Sequence, residues 1–181
     1  MPKIAVLFAN GFEEIEAITI VDTLRRANVE TDMIGVGAMK AEGSHGIKVD
    51  MDCLLSEVDA DNYQGVVLPG GLPGSYTLRD SEDVQTFIKA FTGKIQAAIC
   101  AAPIALQKAG VLNGRHFTSH PSMKDEFNDE LYLESEVVVD GKIITSRGAG
   151  TSFEFTAAIL YALDMHEEAE KWRKAMLYPN L

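Results

Sequence analysis

The stretch Ile95-Gln96-Ala97-Ala98-Ile99-Cys100-Ala101-Ala102-Pro103-Ile104-Ala105-Leu106-Gln107-Lys108-Ala109 decides the fold. Its first five residues make a short, nearly continuous apolar run, as expected of a strand buried on both faces, and residues 101–109 are rich in helix formers. Pro103 fits the first helical turn, where its missing N–H would have had no partner anyway. A strand that turns directly into a helix with a cysteine at the junction is the local plan of a nucleophile elbow.

The same alternation extends in both directions. Lys3 to Ala9 reads as a strand, Asn10-Gly11 as a turn, and Glu13 to Ala27 as a helix, with Ile15, Ile18, Val21, Asp22 and Arg25 at helical spacing. Val29 to Val36 is a second strand, Ala38 to Gly46 a polar connection, and Ile47 to Asp50 a short third strand. Val66-Val67-Leu68 is a buried strand stopped by Pro69-Gly70-Gly71, and Asp80 or Ser81 caps a helix to Phe91. Further on, Glu136 to Asp140 and Lys142 to Ser146 flank the hairpin signal Asp140-Gly141. Thr151 to Glu154 has capping-box spacing ahead of a helix through Leu163, and an amphipathic helix covers His166 to Leu177. Strands alternating with helices, and lacking strict period-two polarity, predict an α/β fold with a mostly parallel sheet and helices on both faces. With no repeat and no linker, residues 1–181 are expected to be a single domain.

The 181 residues are 46% hydrophobic and carry a net charge of −11, spread along the chain. That charge argues against a polyanionic partner such as nucleic acid, while an acidic small molecule stays open if a local pocket is basic. The longest apolar run, Ala97 to Leu106, is too short for a membrane span and contains a proline. Glu13, Glu14 and Glu16 follow the first apolar run too closely for a secretory signal, so a cytoplasmic location is expected. The two cysteines, Cys53 and Cys100, could pair, but reduced thiols are the expectation in that compartment.

Ligands of open parallel sheets sit outside the carboxyl ends of the strands, where Asn10 to Glu16, Leu68 to Gly71 and Ile99 to Pro103 converge on this reading. Cys100 is the candidate nucleophile: a helix N-terminus lowers a thiol's pKa, and Ala101 and Ala102 leave the sulfur uncrowded. The alternative is a buried core cysteine. Gly70 and Gly71 let backbone N–H groups approach a ligand and, with the amide of Ala101, could form an oxyanion hole; otherwise they are a plain tight turn. Glu13 and Glu14 read as solvated first-turn carboxylates, whereas Glu16 lies one turn in, on the same side as Glu13, and could point into the crevice. Beside a thiolate, Glu16 helps only if it is protonated and donates to the sulfur. His120 could serve as a base or be structural; His45 and His116 are weaker candidates, and Cys53 reads as packing. There is no phosphate loop, no G-x-G-x-x-G and no clustered His/Cys set, so no nucleotide or metal site is expected.

Phe12-Glu13-Glu14-Ile15-Glu16, Val66 to Gly71, Ala97 to Pro103 and Thr145 to Phe155, in this order and spacing, resemble the DJ-1/PfpI (ThiJ/PfpI) superfamily over nearly the whole chain. The resemblance implies a flavodoxin-like three-layer sandwich, a homodimer, no cofactor, and an oxidation-prone cysteine hydrogen-bonded by a protonated glutamic acid. Carried over, these are Cys100 and Glu16, with Gly71 and Ala101 supplying amides and His120 lining the site. Many members place a histidine directly after the cysteine; Ala101 stands there in this chain, which points away from peptidases and toward the DJ-1-like branch. That branch often has an arginine where this chain has His45, and Arg26 matches its other basic residue near the site, so these two are the possible anion contacts.

The resemblance further implies glutathione-independent glyoxalase chemistry on methylglyoxal or glyoxal, with deglycase activity as a relative of it. A redox sensor or redox-regulated chaperone in an oxidative stress response, using the same cysteine, is the alternative. A glutamine amidotransferase would share the elbow but expects a C-terminal histidine and glutamate two apart, where this chain has Thr145 to Gly150.

Overall fold

The computed structural model describes residues 1–127 and 131–179. In chain order the elements are β1 (Lys3–Phe8), α1 (Glu14–Arg26), β2 (Glu30–Gly35), β3 (Lys40–Glu42), β4 (Lys48–Asp50), β5 (Cys53–Leu54) and β6 (Gly65–Leu68). They continue with α2 (Gly74–Asp80), α3 (Glu82–Lys89), β7 (Ile95–Ile99), α4 (Pro103–Lys108), β8 (Val137–Asp140), β9 (Ile143–Ser146), α5 (Ser152–Ala162) and α6 (His166–Ala175). A seven-stranded sheet has the order β5-β2-β1-β6-β7-β9-β8, parallel throughout except for the final β9–β8 hairpin.

Alternate residues of each central strand enter different layers, as the period of two requires. Ile4, Val6 and Phe8 of β1 pack with Val67, Ala97 and Ile99 under α1, α5 and α6. Ala5 and Leu7 face the other way, with Val66, Leu68 and Ala98, onto α3 and α4. Because β1 and β7 are buried on both sides, they read as nearly continuous apolar runs instead of alternating ones. Each fully buried large side chain there is worth about 1.5–3 kcal/mol relative to exposure. The result is the mostly parallel sheet with helices on both faces that the alternation of strands and helices called for, arranged as the three-layer, flavodoxin-like α/β sandwich that the resemblance implied. No helix among the described residues is long and apolar enough to cross a membrane.

Two readings need correction. The polar connection over residues 38–46 contains β3, which pairs antiparallel with β4 as a separate two-stranded sheet. Its lysines and glutamates leave no apolar run to notice; docking supplies the order, through Gly11 N–H to Glu42 O at 2.8 Å and Glu42 N–H to Asn10 Oδ1 at 3.0 Å. Helix α2 follows the Pro69-Gly70-Gly71 turn in a stretch to which the sequence assigned no element, and of the two cap candidates Ser81 is the one that caps α3, its hydroxyl accepting the Val84 amide at 3.4 Å. Asp80 is turned aside by its ion pair with Arg79.

Candidate active site

The adjacent carboxyl ends of β1, β6 and β7 bring three connections together: residues 9–13 leading into α1, residues 69–73 leading into α2, and residues 100–102 leading into α4. Cys100 has φ +64°, left-handed backbone that a side chain adopts only under constraint. The constraint is visible on both sides of the residue. Its N–H donates to Ser146 O at 3.0 Å, and its carbonyl accepts the His120 amide at 2.8 Å. The elbow is therefore tied to the end of β9 and to the loop before residue 121, and the thiol is left half-buried.

Glu16, in the first turn of α1, is completely buried. One carboxyl oxygen, Oε2, accepts the Gly70 amide at 2.8 Å, while Oε1 has no hydrogen-bond partner of its own. Burial pushes Glu16 up to about 7, against the pull of its hydrogen bonds with Cys100 and Gly70. Cys100 is pushed up as well, by burial and then by the Glu16 carboxylate; the amides of Gly71 and Ala101, which donate toward the sulfur, act in the opposite sense. The two acids thus compete for protons across one contact, and the sulfur carries charge most readily when Glu16 keeps its proton. A thiol lowered simply by a helix N-terminus is not what is found. Helix α4 has only six residues and begins three positions beyond the cysteine.

Gly70 is required by space. A Cβ there would lie 2.5 Å from Cys100 Cβ and 2.6 Å from Glu16 Oε2. Its amide is committed to Glu16, so the donors aimed at the sulfur are those of Gly71 (φ +92°) and Ala101.

The remaining candidates divide. His120 is at the site through its main chain; its exposed ring bonds Ser122, with Nδ1 2.7 Å from the Ser122 hydroxyl. His45 is exposed, with Nδ1 2.9 Å from Glu14 Oε2 and 3.9 Å from Glu13 Oε1, so its partner is a carboxylate of this chain. Arg26 is not brought to the site within one chain: it pairs with Asp22 at 2.8 Å, ten residues along α1 from Glu16 and so about 15 Å away at 1.5 Å per residue. Both cysteines are free, and half-buried Cys53 packs beneath the second layer.

Glu13 and Glu14 are not the solvated carboxylates expected of a first turn. Glu13 is the N-cap of α1, its Oε2 accepting the Glu16 amide at 2.7 Å. Glu14 is buried beneath loop 43–47 and accepts the His45 amide at 2.6 Å and the Ile47 amide at 3.4 Å. Burial would raise Glu14, but the His45 ring and these amides outweigh it and hold the carboxyl at about 2. Glu13, Glu14 and His45 each present a ligand atom within 4.8 Å of the others, a grouping that no local motif announces because some thirty residues of chain intervene. In this arrangement the oxygens of Glu14 are already engaged by loop amides and by the histidine ring.

Fold and site together define an α/β protein with a cysteine elbow and a buried carboxyl partner. The DJ-1/PfpI family model matches residues 2–162, and the chain belongs to that family. It is 39% identical over 177 residues to Protein dj-1beta of Drosophila melanogaster, covering 95% of each chain. It is 34% identical over 151 residues to a protein of Thermococcus kodakarensis named as a deglycase, covering 82% of this chain and 91% of that one. Against the structure described as Toxoplasma gondii DJ-1, oxidized, the TM-score is 0.95 at 36% identity, with 99% and 100% of the two chains covered. The chain spans less than half the length of the two Arabidopsis thaliana DJ-1 homologs it also matches.

Proposed function

We propose that this protein is a cysteine-dependent glyoxalase or deglycase, acting without a cofactor on small aldehydes such as methylglyoxal and glyoxal. The observation that carries the reading is Glu16: fully buried, beside the Cys100 sulfur, with a carboxyl pushed up to about 7, where an acid–base group is most effective at neutral pH. A relative named as a deglycase supports it.

In the proposed reaction the Cys100 thiolate adds to the aldehyde carbon, and the amides of Gly71 and Ala101 hold the oxygen that becomes negative. The resulting hemithioacetal has a hydrogen on the sulfur-bearing carbon and a carbonyl next to it. Glu16, protonated while the sulfur is a thiolate, gives its proton to the aldehyde oxygen as the hemithioacetal forms; the carboxylate left behind removes the carbon-bound hydrogen as a proton and returns it to the adjacent carbon through an enediol, which leaves a thioester of a 2-hydroxy acid. Water cleaves the thioester, releasing lactate from methylglyoxal and restoring the thiol. His120 contributes by anchoring the Cys100 carbonyl. Lactate formation from methylglyoxal is expected in the wild type, with Cys100→Ser and Glu16→Gln near background; wild-type turnover in Cys100→Ser overturns the scheme.

A second reading, a redox sensor or redox-regulated chaperone, is favoured by the half-buried, reachable thiol and by the oxidized state of the Toxoplasma gondii neighbour. Here Cys100 is oxidised by peroxide to a sulfinate, which the same amides and the Glu16 proton would hold. Intact mass after mild peroxide separates the readings: two oxygens on Cys100 with no aldehyde turnover favours the sensor. We further propose that residues 1–181 act as one domain in a cytoplasmic homodimer; exposed Ile15 and Ile18 on α1 and Ile47 beside it are an apolar surface suited to a second copy.

A further inference from the structure

The residue that holds Glu16 in place is itself acidic. Glu13 Oε2 accepts the Glu16 amide at 2.7 Å, Glu13 N–H donates to Gly70 O at 2.9 Å, and Gly70 N–H donates to Glu16 Oε2 at 2.8 Å. These three bonds close a ring that fixes the Glu16 carboxyl from both its main chain and its tip. The ring also seats Gly71, since a side chain at 71 would run into the Glu13 amide.

A glutamate is an odd choice for this position. Helix N-caps favour Ser, Thr, Asp and Asn, whose short side chains reach the free amides with little loss of freedom. What Glu13 adds is a negative charge near Glu16, on a side chain only 15% exposed. That charge opposes ionisation of Glu16, in the same direction as burial. The influences that dominate Cys100 are its own burial, Glu16, and the amides of Gly71 and Ala101, so Glu13 reaches the sulfur chiefly through Glu16.

We propose that Glu13 is a positioning residue for the Cys100–Glu16 pair, fixing where the Glu16 carboxyl sits and, by its own negative charge, keeping the proton on it. This rests on reading Cys100 and Glu16 as the reactive pair. Without Glu13, Glu16 ionises more readily, its proton is no longer available to the sulfur, and the resulting carboxylate disfavours the thiolate.

The test separates charge from capping. Glu13→Gln keeps an oxygen that can accept the Glu16 amide and removes the charge; Glu13→Asp keeps both. The readouts are the Glu16 carboxyl titration by carbon-13 NMR and the pH profile of Cys100 alkylation by iodoacetamide, each in the folded full-length protein. Glu13→Gln is expected to move the Glu16 titration to lower pH and to slow alkylation at pH 6 by about three- to tenfold, a factor of ten corresponding to one pKa unit. Glu13→Asp is expected to restore the wild-type profiles. If Glu13→Gln leaves both profiles unchanged while remaining folded, Glu13 is a helix cap and nothing more. If Glu13→Gln does not fold, Glu13→Ser, which caps without charge, takes its place: profiles shifted as expected for Glu13→Gln sustain the charge role, and wild-type profiles overturn it. If the variants show these shifts but the wild type makes no lactate, the glyoxalase reading is overturned and this one stands.

Discussion

Gly70 touches both members of the reactive pair: its amide donates to Glu16 Oε2 at 2.8 Å, and a Cβ at its position would stand 2.5 Å from the Cys100 Cβ. The turn at the end of β6 is therefore a spacer whose bareness sets how closely a carboxyl and a thiol can lie. Gly70→Ala is expected to destabilise the protein by about 1–3 kcal/mol, the usual range for overpacking a filled interior. It is also expected to slow Cys100 alkylation, because Glu16 or the elbow must move aside. Urea unfolding and iodoacetamide kinetics on the same sample check this, and a variant with wild-type values for both would show that the contact is relieved at no cost.

The left-handed backbone of Cys100 predicts an unusual ranking of inactive variants. Glycine adopts that conformation freely, whereas alanine is strained by it. Cys100→Gly is expected to be more stable than Cys100→Ala by about 1 kcal/mol, although glycine is ordinarily the less stabilising of the two. Denaturant midpoints of the two variants give the answer, and the reverse order would mean that the elbow relaxes once the thiol is gone.

Burial of Glu16 has a consequence for pH and stability. A carboxyl whose pKa is about 7 when folded and 4.5 when unfolded binds its proton more tightly in the native state. The stability this provides is fully present below pH 4.5 and is lost as pH rises through 7, on the order of 3 kcal/mol for an isolated group. Competition with the thiol is removed in a Cys100→Ala background. There, unfolding free energy is expected to fall between pH 4.5 and 7, and adding Glu16→Gln should flatten that slope; an equal slope with and without Glu16 contradicts the assignment.

The Glu14–His45 contact works with both signs. Glu14, held at about 2, contributes stability above 4.5 that is lost as pH falls through 2. His45, raised by the hydrogen bond and charge of Glu14, contributes stability below 6.5 that is lost as pH rises through its elevated value. The clasp on loop 43–47 is consequently strongest between about pH 4.5 and 6.5. Proton NMR should find His45 titrating above 6.5 in the wild type and returning toward 6.5 in Glu14→Gln; an unmoved His45 would show that the pair does not form in solution.

Cys100 could be found in the sequence because its signal is local: an apolar run, a cysteine and a proline-started helix within fifteen residues. The β9–β8 hairpin was legible for the same reason, through Asp140-Gly141. Helix α2 was not, since Pro73-Gly74 reads as a turn and the helix that follows is only seven residues long. Glu16 could be singled out by its spacing from Glu13, yet the roles of Glu13 and Glu14 depend on the Gly70 carbonyl, 57 positions from Glu13, and on the His45 amide, 31 positions from Glu14, and no window of sequence contains them. Arg26 was assigned to the site by the family resemblance alone, but α1 runs away from the crevice, and helical rise carries it out of reach of Cys100 in the same chain. The pattern is physical: propensities and turn signals act over a few residues, whereas charge states depend on what the fold brings near.

Cys100 owes its surroundings to parts of the chain that are far apart along it. Glu16, Gly71, His120 and Ser146 reach it from four separate regions, two of them fastening its own peptide groups. None of these neighbours is present in an unfolded or half-assembled chain, where the sulfur behaves as a common thiol. Its chemistry therefore comes into being only when the last strands have docked, and the pH profile of its alkylation is an intrinsic gauge of how much of the population has completed folding.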